Sequence, residues 1–317
     1  MKGVEEMAEN INKRVHGHGM DRMTMGDKIF TVCNYIFWVI VLLIVLYPLY
    51  LIIICSVSDP YAVMNGEVLL LPVDFSWIGY EKILAYKTLW VGYGWSLIYT
   101  VSGTILGIGL TMGLAYALAN QFPGKGLVNF MVIFTMFFSG GLIPTFLVMK
   151  DIGLYNNPMI LILMGSLSVF NTMIARTYLQ TSIPKELHEA AEIDGADHFQ
   201  YFFKCVLPLS GTILAVLSVY IAVARWNDYF TALVYIRDKQ YWPLQTVLQK
   251  ILASLTFSAG DVAEMFQDNY TDVAETLRVS NVVKYCAIIV STLPAVVLYL
   301  VMQDYFVKGV MIGSVKG

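Results

Sequence analysis

Apolar residues along this chain gather into long blocks rather than alternating with polar ones. Reading from one charged side chain to the next leaves six charge-free runs of at least 19 residues: Ile29–Ser58, Thr88–Gly124, Gly126–Met149, Ile152–Ala175, Cys205–Ala224 and Tyr285–Gln303. About 20 residues of helix cross the hydrocarbon of a bilayer. The pattern therefore predicts six spans near Ile29–Cys55, Tyr93–Asn120, Leu127–Val148, Met159–Leu179, Leu207–Trp226 and Val283–Met302. The fold class expected is all-α integral membrane. The first run follows 28 largely polar residues, is longer than a signal h-region and has no small-residue cleavage pattern behind it, so it is expected to remain as a membrane helix.

Composition sharpens this reading. The 317 residues are 57% apolar and 14% charged, with a mean hydropathy of +0.65. Soluble domains carry about a quarter of their residues as charges, so this chain lacks the polar surface for water, and a disordered or water-soluble protein is excluded. A net charge of −3 provides no basic field for nucleic acid. With the N-terminus inside, the inner segments hold ten Lys and Arg against seven in the longer outer segments. Five of the ten (Lys2, Lys13, Arg14, Arg22 and Lys28) precede the first span, where the positive-inside rule weighs most. Both termini are then cytoplasmic.

Candidate chemistry is sparse. Cys33, Cys55, Cys205 and Cys286 stand singly, so neither a disulfide framework nor a metal site is expected, and they read as packing residues. His188-Glu189-Ala190-Ala191-Glu192 begins like a zinc-protease helix, but Glu192 stands where the second histidine belongs. Gly124-Lys125 is followed by Gly126 rather than Ser or Thr, so no phosphate-cradling loop forms. His16 and His18 read as part of a polar leader, and the sequon at Asn269 carries no consequence here. In the second span Gly103/Gly107 and Gly109/Gly113 form small-xxx-small pairs for close helix packing. Ser139-Gly140-Gly141 with Pro144 weakens the third span, as a kink or as a broken helix.

The 27-residue inner loop Gln180–Val206 carries the most information. Ser182 and Pro184 open a helix whose Leu187, Ala190, Ala191 and Asp194 fall on one face with little bulk. Gly195 should end it, and Asp197 should cap a second short helix with Phe199, Phe202, Phe203 and Val206 as its apolar stripe. The predicted object is a bent helix pair along the inner membrane face, resting on lipid or offering a smooth edge to a partner.

Glu189-Ala190-Ala191, three residues, Gly195, nine residues and then Cys205-Val206-Leu207-Pro208 resembles the EAA loop of bacterial ABC-importer permeases. Cys205 replaces the usual isoleucine. Ile183-Pro184-Lys185-Glu186-Leu187, Ile193-Asp194-Gly195-Ala196, Ala224-Arg225-Trp226-Asn227-Asp228, Val307-Lys308-Gly309 and the end Gly313–Gly317 resemble the carbohydrate-uptake branch. Gly140–Thr145 and Tyr241–Gln245 look like its oligosaccharide, aldouronate and alginate permeases. The likeness runs from about the first span to the last residue.

The resemblance implies a type I importer permease fold, with a leader at 1–28, a six-span domain at 29–309 and a tail at 310–317. It implies a second related permease, two ATPase subunits that bind ATP and Mg, an extracytoplasmic binding protein and a carbohydrate cargo. No cofactor is expected on this chain, which is not an enzyme. Residues 180–206 would hold the coupling helix, with Glu189 as a polar contact to the ATPase and Ala190 and Ala191 as the close-approach face. Asp194 would share that face toward the ATPase, Gly195 would form the turn, and Leu207-Pro208 the joint to span five. Arg225, Trp226 and Asn227 are candidates for the pathway, or else an interfacial belt. In the outer loop 227–282, Leu244, Val247, Leu248, Ile251, Leu252 and Leu255 predict an amphipathic helix. Tyr241, Trp242, Asp261 and Glu264 are expected to dock the binding protein, the acidic segment being otherwise a solvated loop, and Asp74–Trp77 and Tyr80 read as further contacts or as interfacial anchors. A secondary transporter is the alternative. It should show an internal repeat or ionisable residues at mid-membrane, and the six runs are defined by lacking charge.

Overall fold

The computed structural model describes residues 24–251, 253, 279, 281–300 and 303, and over these it holds helices and turns with no strand. Helix α1, Met25–Ser56, starts four residues before the expected span because a capping box fixes it there. The Thr24 hydroxyl accepts from the Asp27 amide at 3.4 Å, and the Asp27 carboxylate accepts from the Thr24 amide at 3.2 Å. Helix α2, Lys87–Ala119, also begins earlier than expected, since one charge at the first position does not stop an otherwise apolar helix.

The third, fourth and fifth expected spans form as broken helices. The third divides into α3, Lys125–Phe137, and α4, Leu142–Asp151, bent by 114°. Gly141 sits at the break with φ +81°, so of the two readings of Ser139-Gly140-Gly141 the broken helix is the one that forms. The fourth opens with a short helix, Met159–Leu163, leaves the helical path over Met164–Ser168 and resumes as α5, Val169–Ser182, capped by Ser168 accepting from the Asn171 amide. The inner loop carries α6, Lys185–Ile193, and a short helix His198–Tyr201 that runs through a wide turn, Phe202–Val206, into Leu207–Leu209. The chain then bends by 82° into α7, Gly211–Trp226. Helix α8 covers Asn281–Leu300. Helices α1, α2 and α8 are each long and apolar enough to cross a membrane, and each of the two bent pairs passes the same test when taken as one span.

Helix α2 is the hub, packed against α5 and α7. It approaches them closely at Gly103 and Gly107. A methyl group at Gly107 would lie 3.0 Å from the Ser166 carbonyl oxygen and 3.1 Å from Ile221 Cγ2. The other pair of the sequence reading, Gly109 and Gly113, faces open space instead. At the inner end, Met112, Ala115, Ala175, Leu179, Tyr201, Val206, Ile213 and Leu217 form one buried cluster that joins the loop to α2, α5 and α7. At the outer end, Tyr99, Ile160, Leu161, Ala232, Tyr235 and Ile236 form another. Helix α1 stands apart: its side chains are exposed or half-buried until Ile54 and Cys55 reach a small cluster with Ala62 and Val68.

Candidate functional site

The loop after α5 is built around one turn. Helix α6 ends at Ile193, and Gly195 takes φ +76°. The Ala196 amide donates to the Ala191 carbonyl at 2.9 Å and the Gly195 amide to the Glu192 carbonyl at 3.0 Å. These two bonds make the left-handed helix stop that favours glycine. Asp197 then starts the next helix, its carboxylate accepting from the Gln200 amide at 2.7 Å. The chain thus reverses within a few residues and returns toward α7 through Leu207 and Pro208.

The face predicted to be smooth is divided by the packing. Leu187 and Ala191 turn inward onto the inner cluster. Glu186, Glu189, Ala190 and Ile193, spaced i, i+3, i+4, i+7, form the exposed edge, with Asp194 exposed beside it. The register differs from the expected one because α6 needs an apolar contact with the bundle, and only Leu187 supplies bulk for it. Ile193 is 87% exposed and Phe199 77%, so the tip of the loop presents two uncovered apolar side chains. The predicted stripe of the second helix splits likewise, with Val206 buried, Phe202 half-buried and Phe199 and Phe203 exposed.

The sequence reading missed the clasp that holds α6 to the bundle. His188 meets the Tyr201 ring edge-on with centroids 4.8 Å apart, and its Nδ1 lies 3.5 Å from Glu192 Oε1. The His198 ring is 5.7 Å from that of His188, and its Nδ1 is 3.4 Å from the Tyr116 hydroxyl. Burial, with Tyr116 and Cys205 close by, pushes the Tyr201 phenol above its ordinary value, so it stays neutral. Between this clasp and the ends of α2 and α5 lies a cleft of about 490 Å³ lined by Tyr116, Gln121, Gln180, His188, Glu189 and Tyr201. Only the loop's aromatic and histidine content signalled the clasp, and spacing alone does not pair residues 82 positions apart.

The pathway candidates are placed differently. Arg225 is 9% exposed and reaches across the break between the Met159–Leu163 helix and α5. Its Nη1 donates to the carbonyls of Leu161 (3.1 Å) and Met164, and its Nη2 to the Ile162 carbonyl (3.3 Å) and the Ser166 hydroxyl (2.9 Å). These carbonyls close the Met159–Leu163 helix, where orphan acceptors and a negative dipole end meet. Gly103 makes room: a methyl there would lie 3.1 Å from Arg225 Nε. Trp226 is buried, donates from Nε1 to the Ser291 carbonyl at 2.9 Å and meets Tyr93 edge-on. Asn227 alone of the three is exposed, its amide donating to the Val223 carbonyl at 3.0 Å. The guanidinium and the indole N–H are thus spent inside the chain.

At the end of α2 away from the 180–206 loop, Tyr241 and Trp242 are half-buried. Trp95 stacks on Tyr99 and meets Tyr241 edge-on, and Trp242 donates to the Ile236 carbonyl at 3.1 Å. Of the predicted outer helix, residues 244–251 form, with Leu244, Val247 and Leu248 buried. Asn156, at φ +58°, ties two outer loops together: its side-chain oxygen accepts from the Arg237 and Asp238 amides and its nitrogen donates to the Asp238 carboxylate, all at 3.0 Å. Phe75, Trp77 and Tyr80 form a chain of ring contacts after Asp74. Asp261 and Glu264, with the leader histidines and the tail, lie outside the described residues. The four cysteines are free thiols.

Three comparisons bear on this arrangement. The model of the family described as "Binding-protein-dependent transport system inner membrane component" matches residues 17–312. The polygalacturonan/rhamnogalacturonan transport system permease protein YtcP of Bacillus subtilis (strain 168) is 36% identical over 298 residues, covering 92% of this chain and 100% of that protein. Protein LplC of the same organism is 35% identical over 297 residues, covering 93% and 97%. A solved chain from a bacterial ABC transporter involved in the import of the acidic polysaccharide alginate superposes with a TM-score of 0.79 at 32% identity, covering 90% of this chain and 99% of that one.

Proposed function

The chain belongs to the family of binding-protein-dependent transport system inner membrane components, and from that premise we propose that it is one permease subunit of an ATP-driven oligosaccharide importer. The names carried by YtcP and the alginate transporter favour cargo from acidic polysaccharides. In this reading the chain crosses the inner membrane six times, its third, fourth and fifth spans broken, with both termini in the cytoplasm. A second related permease completes the pathway, two ATPase subunits bind ATP and Mg, and an extracytoplasmic protein delivers the sugar against the outer face near Tyr241 and Trp242.

One observation carries the coupling assignment. Helix α6 presents Glu186, Glu189, Ala190 and Ile193 as an uncovered edge at the position of the EAA spacing, and the Gly195 turn joins it through Leu207-Pro208 to α7. Closure of the ATPase dimer then pulls on α6, and the rigid turn passes that displacement to α7 instead of absorbing it. Glu189 offers the polar contact, Ala190 the close approach, and Ala191 holds the helix to its own bundle. Among the pathway candidates Asn227 is the one free to meet sugar, while Arg225 and Trp226 shape the wall behind it.

Purification of the tagged chain from its native membrane in mild detergent tests this. A second permease and an ATPase should accompany it, with ATP turnover stimulated by the binding protein. Recovery of the chain alone, transporting sugar after reconstitution without ATP, refutes the reading.

A further inference from the structure

Beside the coupling loop, the inner ends of α2, α3 and α5 bring together a group of donors that no role above uses. Arg176 on α5 donates from Nη1 to the Asn129 side-chain oxygen of α3 at 2.7 Å. Its other described partner is the sulfur of Met173 at 3.9 Å, and its Nε is buried without a partner. One turn from Asn129, Lys125 donates to the Ala119 carbonyl at 3.4 Å, and the Gln180 amide, one turn on from Arg176, reaches the same oxygen at 3.5 Å. The guanidinium thus meets one amide oxygen, and one turn away the ammonium and the amide share one carbonyl. Helix α3 adds its own N-terminus there, with Gly124 as cap and no side-chain hydrogen bond capping it. Among the described residues no Asp or Glu forms an ion pair with Lys125 or Arg176.

A cation half-buried in a membrane bundle is costly unless an anion meets it, and none of the described acidic residues does so here. We infer that the Lys125, Asn129, Arg176 and Gln180 cluster binds the phosphate of an anionic phospholipid from the inner leaflet. The inference rests on the cytoplasmic placement of the coupling loop proposed above. Arg176 lies six residues before the end of α5 and Asn129 four after the start of α3, which at 1.5 Å per residue puts both within about 10 Å of the inner end of the bundle. That is the depth of the headgroup boundary, where basic pockets between spanning helices take lipid phosphates. No residue of α3 is buried, and Leu127 (60% exposed), Phe130 (65%) and Met131 (55%) leave an apolar face above the cluster for the acyl chains. The bound lipid would fix α3 to α5 beside the joint through which α6 moves.

The test uses the assembled transporter, delipidated and titrated with phosphatidylglycerol or phosphatidylcholine, with bound lipid counted by native mass spectrometry. Wild type should prefer phosphatidylglycerol. Arg176→Gln and Lys125→Gln should each cut its occupancy about fivefold, the weight of one basic side chain at an anionic surface, and Arg176→Lys should keep part of it. Should Arg176→Gln fail to assemble, the exposed-end variant Lys125→Gln carries the comparison. Equal binding of the two lipids, an unchanged preference in Lys125→Gln, or displacement of the lipid by inorganic phosphate overturns the inference. So does loss of the second permease or the ATPase, in place of lipid, from the Arg176 variant. Labelling of Gly124→Cys by an impermeant maleimide, done separately, reports the side of the membrane, and labelling from outside overturns the orientation without touching the lipid count.

Discussion

Replacing Arg225 by methionine removes the charged fork while keeping an unbranched apolar side chain in its slot. The loss can be worked from the acceptors. The Ile162 carbonyl keeps the Ser166 hydroxyl as a donor, and Ser166 in turn keeps its own bond. The Leu161 and Met164 carbonyls have no other hydrogen-bond donor among the described residues. Each buried acceptor left unmet costs roughly 1–3 kcal/mol, and hydrocarbon offers no water to repair the loss. Relief from desolvating the guanidinium offsets part of this, so the expected destabilisation is about 3 kcal/mol. Lysine carries the charge without the planar fork and should lose about half as much. The assay is equilibrium unfolding of the purified transporter in mild detergent titrated with dodecyl sulfate. Arg225→Met within about 1 kcal/mol of wild type would refute the reasoning, because the broken span would then hold without its bridge. Uptake should fall in the same order, methionine below lysine below wild type.

Three further outcomes follow from other parts of the fold. Gly195→Ala should cost about 1 kcal/mol at the loop, since φ +76° is left-handed and no neighbour lies within 4 Å to clash; sugar uptake should drop with membrane insertion unchanged, and Gly195→Asn should retain more of it. Gly107→Ala, meeting the Ser166 carbonyl at 3.0 Å, should destabilise by about 1–3 kcal/mol, whereas Gly109→Ala in open space should be neutral or stabilising; the yield of intact complex after heating separates them. Asn156→Ala removes three hydrogen bonds between the outer loops, and amide exchange at Arg237 and Asp238 should accelerate about tenfold or more; unchanged protection there would show that the aromatic cluster alone holds the loops.

The EAA spacing and the helix stop at Gly195 were legible because both depend on neighbours along the chain. A left-handed glycine, a capping Asp197 and a fixed count of residues are local facts. The face of α6 was not legible, since Leu187, Ala190, Ala191 and Asp194 share a helical side whichever way the helix is turned. Docking onto the inner cluster turned Ala191 inward and Ala190 outward. Arg225 followed the same logic. Its position beside Trp226 and Asn227 suited a sugar pathway, but its partners are carbonyls 61 to 64 residues earlier, which no spacing rule reaches.

Composition and block pattern by themselves determined that this chain lives in lipid and where its apolar blocks lie, and residue spacing alone showed the likeness of the 180–206 loop to an EAA loop. These follow from transfer free energy and local backbone geometry, which act residue by residue. Tertiary structure decided between kink and break at Gly141, broke two further blocks that no local signal marked, and filled the break after Leu163 with Arg225. In hydrocarbon a broken helix persists only when another element meets its freed backbone groups, and Arg225 does so from a different helix. Tertiary structure also set the Arg176–Asn129 pair one helical turn from Lys125 and Gln180, because a half-buried charge must be answered in space and not along the sequence.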